Sequence, residues 1–442
     1  MKWGQKYWGE ILLGIGFLVF YIWARTWLHE EKFTAYTATR WMNIFGFGQF
    51  EQTTDLWQYL KELRTGIPPV LSWLEIRSFL QAGRMEDIHW LIRNAYQFAM
   101  IAMLLLSALW GKWEKSRWLY VLLISAILLP AIAIVHKGNA QIYDVMLPFF
   151  LMLHLVGVYW GRKWFDKGKG WKIVGMGLAI FAGLSLSLAE LSRPFMLAVV
   201  PFVLLHHFFQ DKSTRKSFLI VLLLPVLLVS GGWHIKLMIY NQGQLIWSNH
   251  GGCNLANAWA PVIDHQALNA KIQPEEPPLV DNQWTWDNIN TQIHTDNCKE
   301  MQRAVVQGIL KHPGKAFAHI SGKAWRFLLV RTDMYAYDPQ GWQIDAYRWI
   351  VRLLYLNLIV LLLVYLRRAW KKPAILLSEA FLLLFLAAFL TFMPIIGENG
   401  EEARFLVSIV PLLVASGMLG LKELQSLRST LDKTKDAEAR PA

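Results

Sequence analysis

Residues 374–393 read AILLSEAFLLLFLAAFLTFM, twenty residues with one charged side chain, Glu379. A hydrocarbon core about 30 Å thick is crossed by about 20 apolar residues in a helix, so this stretch reads as a membrane span. It is not alone: FAMIAMLLLSALW at 98–110 has the same character. The whole 442-residue chain is 55% hydrophobic and only 17% charged, with mean hydropathy +0.29. A water-soluble chain carries about 25% charge. A single soluble domain, a disordered chain, a collagen-like repeat and a disulfide scaffold are all excluded. The expected fold is an all-α polytopic membrane protein. Ten spans are expected, at roughly 8–28, 90–110, 118–135, 142–160, 171–189, 194–210, 217–237, 347–366, 373–396 and 404–421. Tryptophans such as Trp8, Trp110, Trp160, Trp171 and Trp349 mark span ends, as in an interfacial aromatic belt.

Basic residues orient the spans. Lys112, Lys115 and Arg117, then Arg162, Lys163, Lys167, Lys169 and Lys172, then Lys212, Arg215 and Lys216, then Arg367, Arg368, Lys371 and Lys372 fall in alternate connections. With Lys2 and Lys6 they define one face, which the positive-inside bias makes cytoplasmic. Both termini are expected there, and span one reads as a signal anchor. The net charge of +12 is thereby explained without nucleic acid. Two long loops fall outside, 29–89 and 238–346. The chain then divides into a seven-helix module (1–237, with the first loop), the second loop (238–346), further spans (347–421) and a polar tail (422–442). No internal repeat recurs at a fixed period.

The outer loops hold the chemistry. HEEKFTAYTATRWMNIFGFGQF, residues 29–50, places Glu30 and Glu31 at the outer boundary, where acids are costly unless paired, solvated or functional. DLWQYLKELRTG, 55–66, sets Leu56, Tyr59, Leu60 and Leu63 on one helical face and reads as an amphipathic helix lying on the membrane. The second loop opens WSNHGGCNLANAW, 247–259, whose Gly, Asn and Ser imply tight turns. Farther on, Met301, Val305 and Ile309 form a helical stripe. Pro313 ends that helix and opens the next, on which Lys315, His319, Lys323 and Arg326 share a face suited to anionic headgroups. Cys253 and Cys298 both lie in this loop. They pair if the compartment is oxidising and stay free thiols if it is not. Short outer connections add His136, Lys137 and Asp144, then Glu190 and Arg193, then Glu398, Glu401, Glu402 and Arg404. Each cation read alone is an ordinary snorkelling side chain; together with the acids they have the composition of a pocket for a phosphate and a proton acceptor. His206 and His207 lack companions at zinc-site spacing, and neither a GxSxG elbow nor a GxxxxGK[ST] loop occurs.

Several stretches resemble the GT-C superfamily of membrane glycosyltransferases that use polyprenyl-phosphate sugars, the group of the protein O-mannosyltransferases, aminoarabinose transferases and arabinofuranosyltransferases. The resemblance rests on Glu30 and Glu31 followed by Phe33, Ala38, Arg40, Asn43, Gly46 and Gly48, and on IPPVLSW at 67–73. It continues with QIYDVMLPFF at 141–150, GLSLSLAELSRPFMLAVVP at 183–201, VVQGILKHPGKAFAHISGKAWRF at 305–327 and GEEARFLVSIVPLL at 400–413. It spans most of the chain. The family's first-loop acid is usually Asp, whereas both residues here are Glu, which leaves a divalent metal open as a cofactor. The resemblance implies an enzyme in a bacterial inner membrane that moves a sugar from a polyprenyl phosphate to an extracytoplasmic glycan, lipid or protein. Glu30 or Glu31 would be the base. Arg193, Lys137 and Arg404 would hold the donor phosphate, with Asp144, Glu190, Lys323 and Arg326 as further candidates. An O-antigen polymerase or ligase, and a transporter or flippase, are the alternatives.

Overall fold

The computed structural model describes residues 15, 56–63, 142–210, 216–243, 251–272, 292–329, 342–397, 405–406, 408–420 and 423. Among these residues every regular element is helical and no strand occurs. In chain order the helices are α1 (Leu56–Glu62), α2 (Ile142–Phe165), α3 (Lys169–Ser192), α4 (Val200–Gln210), α5 (Lys216–Pro225) and α6 (Gly232–Tyr240). They continue with α7 (Gly251–Ala258), α8 (His265–Asn269), α9 (Gln292–Lys311), α10 (Pro313–Leu328), α11 (Trp342–Lys371), α12 (Glu379–Gly397) and α13 (Ser408–Gly420). Short 3-10 turns, Pro194–Ala198 and Pro373–Leu377, precede α4 and α12, and a π-helical segment, Val226–Gly231, joins α5 to α6.

Among the described residues, four helical stretches are long and apolar enough to cross a membrane: Lys169–Ser192, Lys216–Tyr240, Asp345–Lys371 and Glu379–Gly397. The first three each cover an expected span, and Glu379–Gly397 covers the span expected at 373–396 except its start, where Pro373–Leu377 is a 3-10 turn. Expected spans 142–160, 194–210 and 404–421 coincide with α2, with α4 and its leading turn, and with residues 405–420. The three expected between 8 and 135 lie outside the described residues, apart from Ile15.

Membrane helices gain no hydrophobic drive from meeting one another, so small residues that let backbones approach decide which pairs form. α2 and α3 meet this way. A Cβ on Gly157 would stand 3.0 Å from the Ala182 Cβ, and one on Gly175 would stand 2.7 Å from the Phe165 nitrogen. Ala179 and Ala182 are fully buried between the helices. The largest core gathers Leu147, Leu151, Leu186, Met196, Leu383, Leu386 and the α13 residues Ile409, Val410 and Leu413.

The loop-one helix differs from its expected setting. Tyr59 and Leu63 on its apolar face are 1% and 0% exposed and join this same core, so α1 is docked on protein rather than on lipid. Lys236 Nζ donates to the Leu60 and Leu63 carbonyls, and the Tyr240 hydroxyl donates to the Lys61 carbonyl at 2.8 Å. These are the last-turn carbonyls that a helix end leaves unpaired.

In the second loop, Gly251–Ala258 is a helix and not the expected tight turns. Gly252, Cys253 and Ala256 form a small buried face against α9. A side chain on Gly252 would strike the Cys298 carbonyl. Close packing outweighs the poor helix propensity of the two glycines. Cys253 and Cys298 form a disulfide across this contact. Met301 and Val305 are fully buried, and Pro313 opens α10 after His312 leaves helical geometry, as the sequence predicts.

Candidate functional site

Arg193 is aimed by its neighbour. Proline disfavours the helical conformation in the residue before it, because its ring crowds that residue's backbone. α3 therefore ends at Ser192, and Arg193 before Pro194 is extended (φ −145°, ψ 118°). The side chain turns back into the bundle and is only 9% exposed. Its Nε donates to Asp144 Oδ1 at 2.8 Å, and Nη2 donates to the same oxygen. Its guanidinium carbon lies 4.5 Å over the Phe405 ring. Asp144, in the first turn of α2, is 1% exposed. Its backbone carbonyl accepts from the Ser408 hydroxyl. One ion pair thus ties α2, the α3–α4 break and the start of α13. Asp144 Oδ2 is buried and has no hydrogen-bond partner among the described residues.

One turn before Arg193, Glu190 is 1% exposed and accepts at both oxygens, from Ser230 Oγ at 2.6 Å and His234 Nε2 at 2.7 Å. Ser230 belongs to the π-helical segment. A π-turn inserts a residue and re-aims side chains, and such turns concentrate at functional sites. Two residues past His234 stands Lys236, which holds α1. The expected outer face of the bundle therefore carries two buried groups, Asp144 with Arg193 and Glu190 with Ser230 and His234, and the docked loop-one helix. Ionisable groups in such surroundings are costly and mark function. Ser230, His234 and Lys236 were not singled out from the sequence. Their signal was a hydroxyl, an imidazole and an ammonium in an otherwise apolar span.

Of the other candidates, Glu30, Glu31, Lys137 and Arg404 lie outside the described residues. Lys323 is 2% exposed, within the buried stripe of α10 that includes Ala316 and Phe327. Arg326 is exposed. His319 Nε2 hydrogen-bonds the Ala258 carbonyl at 2.7 Å. The expected basic face is thus split between protein and surface. Among the described residues the grouping with metal-ligand potential is Cys253, His294 and Cys298. Both of its sulfurs are consumed in the disulfide, so it offers one imidazole.

A second polar network lies at the far end of α2. His154 Nδ1 faces the Ala182 carbonyl at 3.0 Å, and its Nε2 faces His207 Nε2 at 3.0 Å. His207 Nδ1 lies 3.2 Å from Arg162 Nη2, and Arg162 Nη1 donates to Gln210 Oε1 at 2.7 Å. For uncharged rings one assignment satisfies every contact: Arg162 donates to His207, His207 to His154, and His154 to the carbonyl. His206 Nε2 is directed instead at the Ser378 carbonyl, 3.2 Å away.

Among the described residues, fold and site together define an all-helical arrangement with membrane-length helices and buried charged groups at both ends of α2. No family model matches the chain, and no curated protein matches it. Among solved structures it is similar to an oligosaccharyltransferase of Archaeoglobus fulgidus, crystallised with an acceptor peptide containing the NVT sequon tethered by a disulfide bond. The identity is 14% and the TM-score 0.42, over 98% of this chain and 51% of that one. The chain thus spans about half the length of that protein, and a likeness at this level carries no argument about activity.

Proposed function

We propose that this protein is an integral membrane glycosyltransferase that takes a sugar from a polyprenyl-phosphate donor and passes it to an acceptor on the outer face. The observation that carries this reading is the buried Arg193–Asp144 pair at the expected outer end of the bundle. A lipid-borne phosphate reaches protein at that level, and a desolvated guanidinium is its natural partner. In the reaction the acceptor hydroxyl attacks the anomeric carbon, the carbon–oxygen bond to phosphate breaks, and the lipid phosphate leaves with the electron pair. Arg193 holds the growing charge on that phosphate, which is where preorganised donors act most strongly. Asp144 keeps Arg193 in place and compensates its charge when no donor is bound. Lys137 and Arg404 are further phosphate contacts. Glu30 or Glu31 accepts the acceptor's proton. Glu190, engaged by Ser230 and His234, orients rather than accepts. A divalent cation, left open as a cofactor by the acid pair, would find carboxylate ligands in Glu30 and Glu31.

A transporter or flippase is the second reading, favoured by the ionisable groups buried at both ends of α2. Gentle extraction followed by mass spectrometry tests the donor claim. A polyprenyl-phosphate sugar should co-purify with wild type and be depleted in Arg193→Ala. Equal retention by a folded Arg193→Ala variant would remove Arg193 from the donor site.

A further inference from the structure

We propose that the open cavity at the Arg162 end of α2 binds a phosphate ester, supplied by the headgroup of an anionic lipid. The cavity is separate from the site above. Arg162 lies eighteen residues along α2 from Asp144, about 27 Å at the helical rise of about 1.5 Å per residue. By the bias of basic loops it opens on the cytoplasmic side. About 250 Å³ in volume, it is lined by Tyr159, Arg162, Lys163, Gln210 and Glu379.

Three observations point to a phosphate. Arg162 is only 5% exposed, and its guanidinium is oriented by His207 and by Gln210 in the cavity wall. That network, whose tautomers are fixed by the Ala182 carbonyl, presents a preset cation to the cavity. Lys163 supplies a second cation and Tyr159 a hydroxyl. The acid present, Glu379, has a 41% exposed side chain whose Oε1 lies 3.7 Å from Arg162. A charge-assisted hydrogen bond is about 2.7–2.9 Å long, so a phosphate bonded to Arg162 at that range would compete with this longer contact.

Two further observations favour a lipid as the source. Lys163 lies 4.5 Å over the Trp160 ring and Lys167 5.5 Å over Trp171, and Trp160, Trp164 and Trp171 meet edge to face at the same end of α2. Such rings mark headgroup level. Beside Gln210, Phe208 and Phe209 are 59% and 63% exposed and offer apolar surface for acyl chains. Basic pockets between membrane helices suit anionic headgroups.

Native mass spectrometry of the intact detergent-solubilised protein tests this, with dioctanoyl phosphatidylglycerol as probe, dioctanoylglycerol as its phosphate-free control, and inorganic phosphate as the soluble arm. Phosphatidylglycerol should bind at least about tenfold tighter than dioctanoylglycerol. Lys163→Ala should weaken it about tenfold, the value of one charge-assisted contact, and Glu379→Gln should tighten it severalfold. Inorganic phosphate binding as tightly as the lipid would uphold the phosphate site and move its source to a soluble ester. Equal affinity for the phosphate-free control, or no response to either variant, would overturn the proposal. Both variants alter exposed or half-exposed side chains, so neither depends on removing the buried Arg162.

Discussion

Cutting the Arg193–Asp144 pair from either side should cost more than removing it whole. Both partners are buried, at 9% and 1% exposure, and Asp144 Oδ1 accepts two guanidinium hydrogens. Asp144→Leu leaves a desolvated guanidinium with no counter-charge, and Arg193→Met leaves a desolvated carboxylate. Breaking a buried pair from one side typically costs about 3–5 kcal/mol, whereas replacing both members by apolar groups of similar volume is often near neutral. Since about 1.4 kcal/mol is a factor of ten, each single variant should shift its folding equilibrium at least about a hundredfold. The double variant should lie within about 1 kcal/mol of wild type. Reversible unfolding in mixed micelles, followed by tryptophan fluorescence, gives the four corners of the cycle. Singles that each cost under about 1 kcal/mol, with a double equal to their sum, would refute the pairing.

Three further outcomes follow from the packing. Gly175→Ala should lower stability by about 1–3 kcal/mol, because a Cβ there meets the Phe165 and Gly161 backbones at 2.7 and 2.8 Å; unchanged unfolding would show that the α2–α3 contact is looser. Replacing Cys253 and Cys298 by Ser opens a link between residues 45 apart, worth about 4 kcal/mol in the chain-entropy model, and should lower the melting temperature of the second loop; free thiols in the untreated protein would remove the link itself. Lys236→Met removes the donor to the last-turn carbonyls of α1, a charged contact worth about 1.5–3 kcal/mol, so amides over 56–63 should exchange faster with deuterium while those of α3 do not change.

Much of the helical plan was legible because apolar length and basic-loop bias are local signals. α3, the α5–α6 stretch, α11 and α12 fall where they predict. The α1 helix was legible as amphipathic, but not its partner. An apolar stripe does not say whether lipid or protein covers it, and here Lys236, more than 170 residues away, decides. The loop-two turn was misread because Gly-Gly signals a break only where nothing packs against it, and α9 packs there. The α2–α3 contact was not read from the sequence, because the close approach at Gly157 and Gly161 depends on which helix packs against them. At the site, Arg193 and Asp144 were each candidates, yet only folding pairs residues 49 positions apart. The His154–His207–Arg162 chain escaped because lone histidines in apolar spans carry no spacing pattern.

Lipid-phosphate release by the reconstituted protein tests the central claim most directly. Vesicles containing the protein and a polyprenyl-phosphate sugar, supplied with acceptor, should accumulate free polyprenyl phosphate in step with glycosylated acceptor. The Asp144→Leu/Arg193→Met double variant should retain its fold and lose this release by at least about a hundredfold, since it lacks the cation that meets the leaving phosphate. Release at the wild-type rate by the double variant would contradict the site. Movement of the intact lipid-linked sugar across the bilayer with no release would contradict the reaction and favour a flippase.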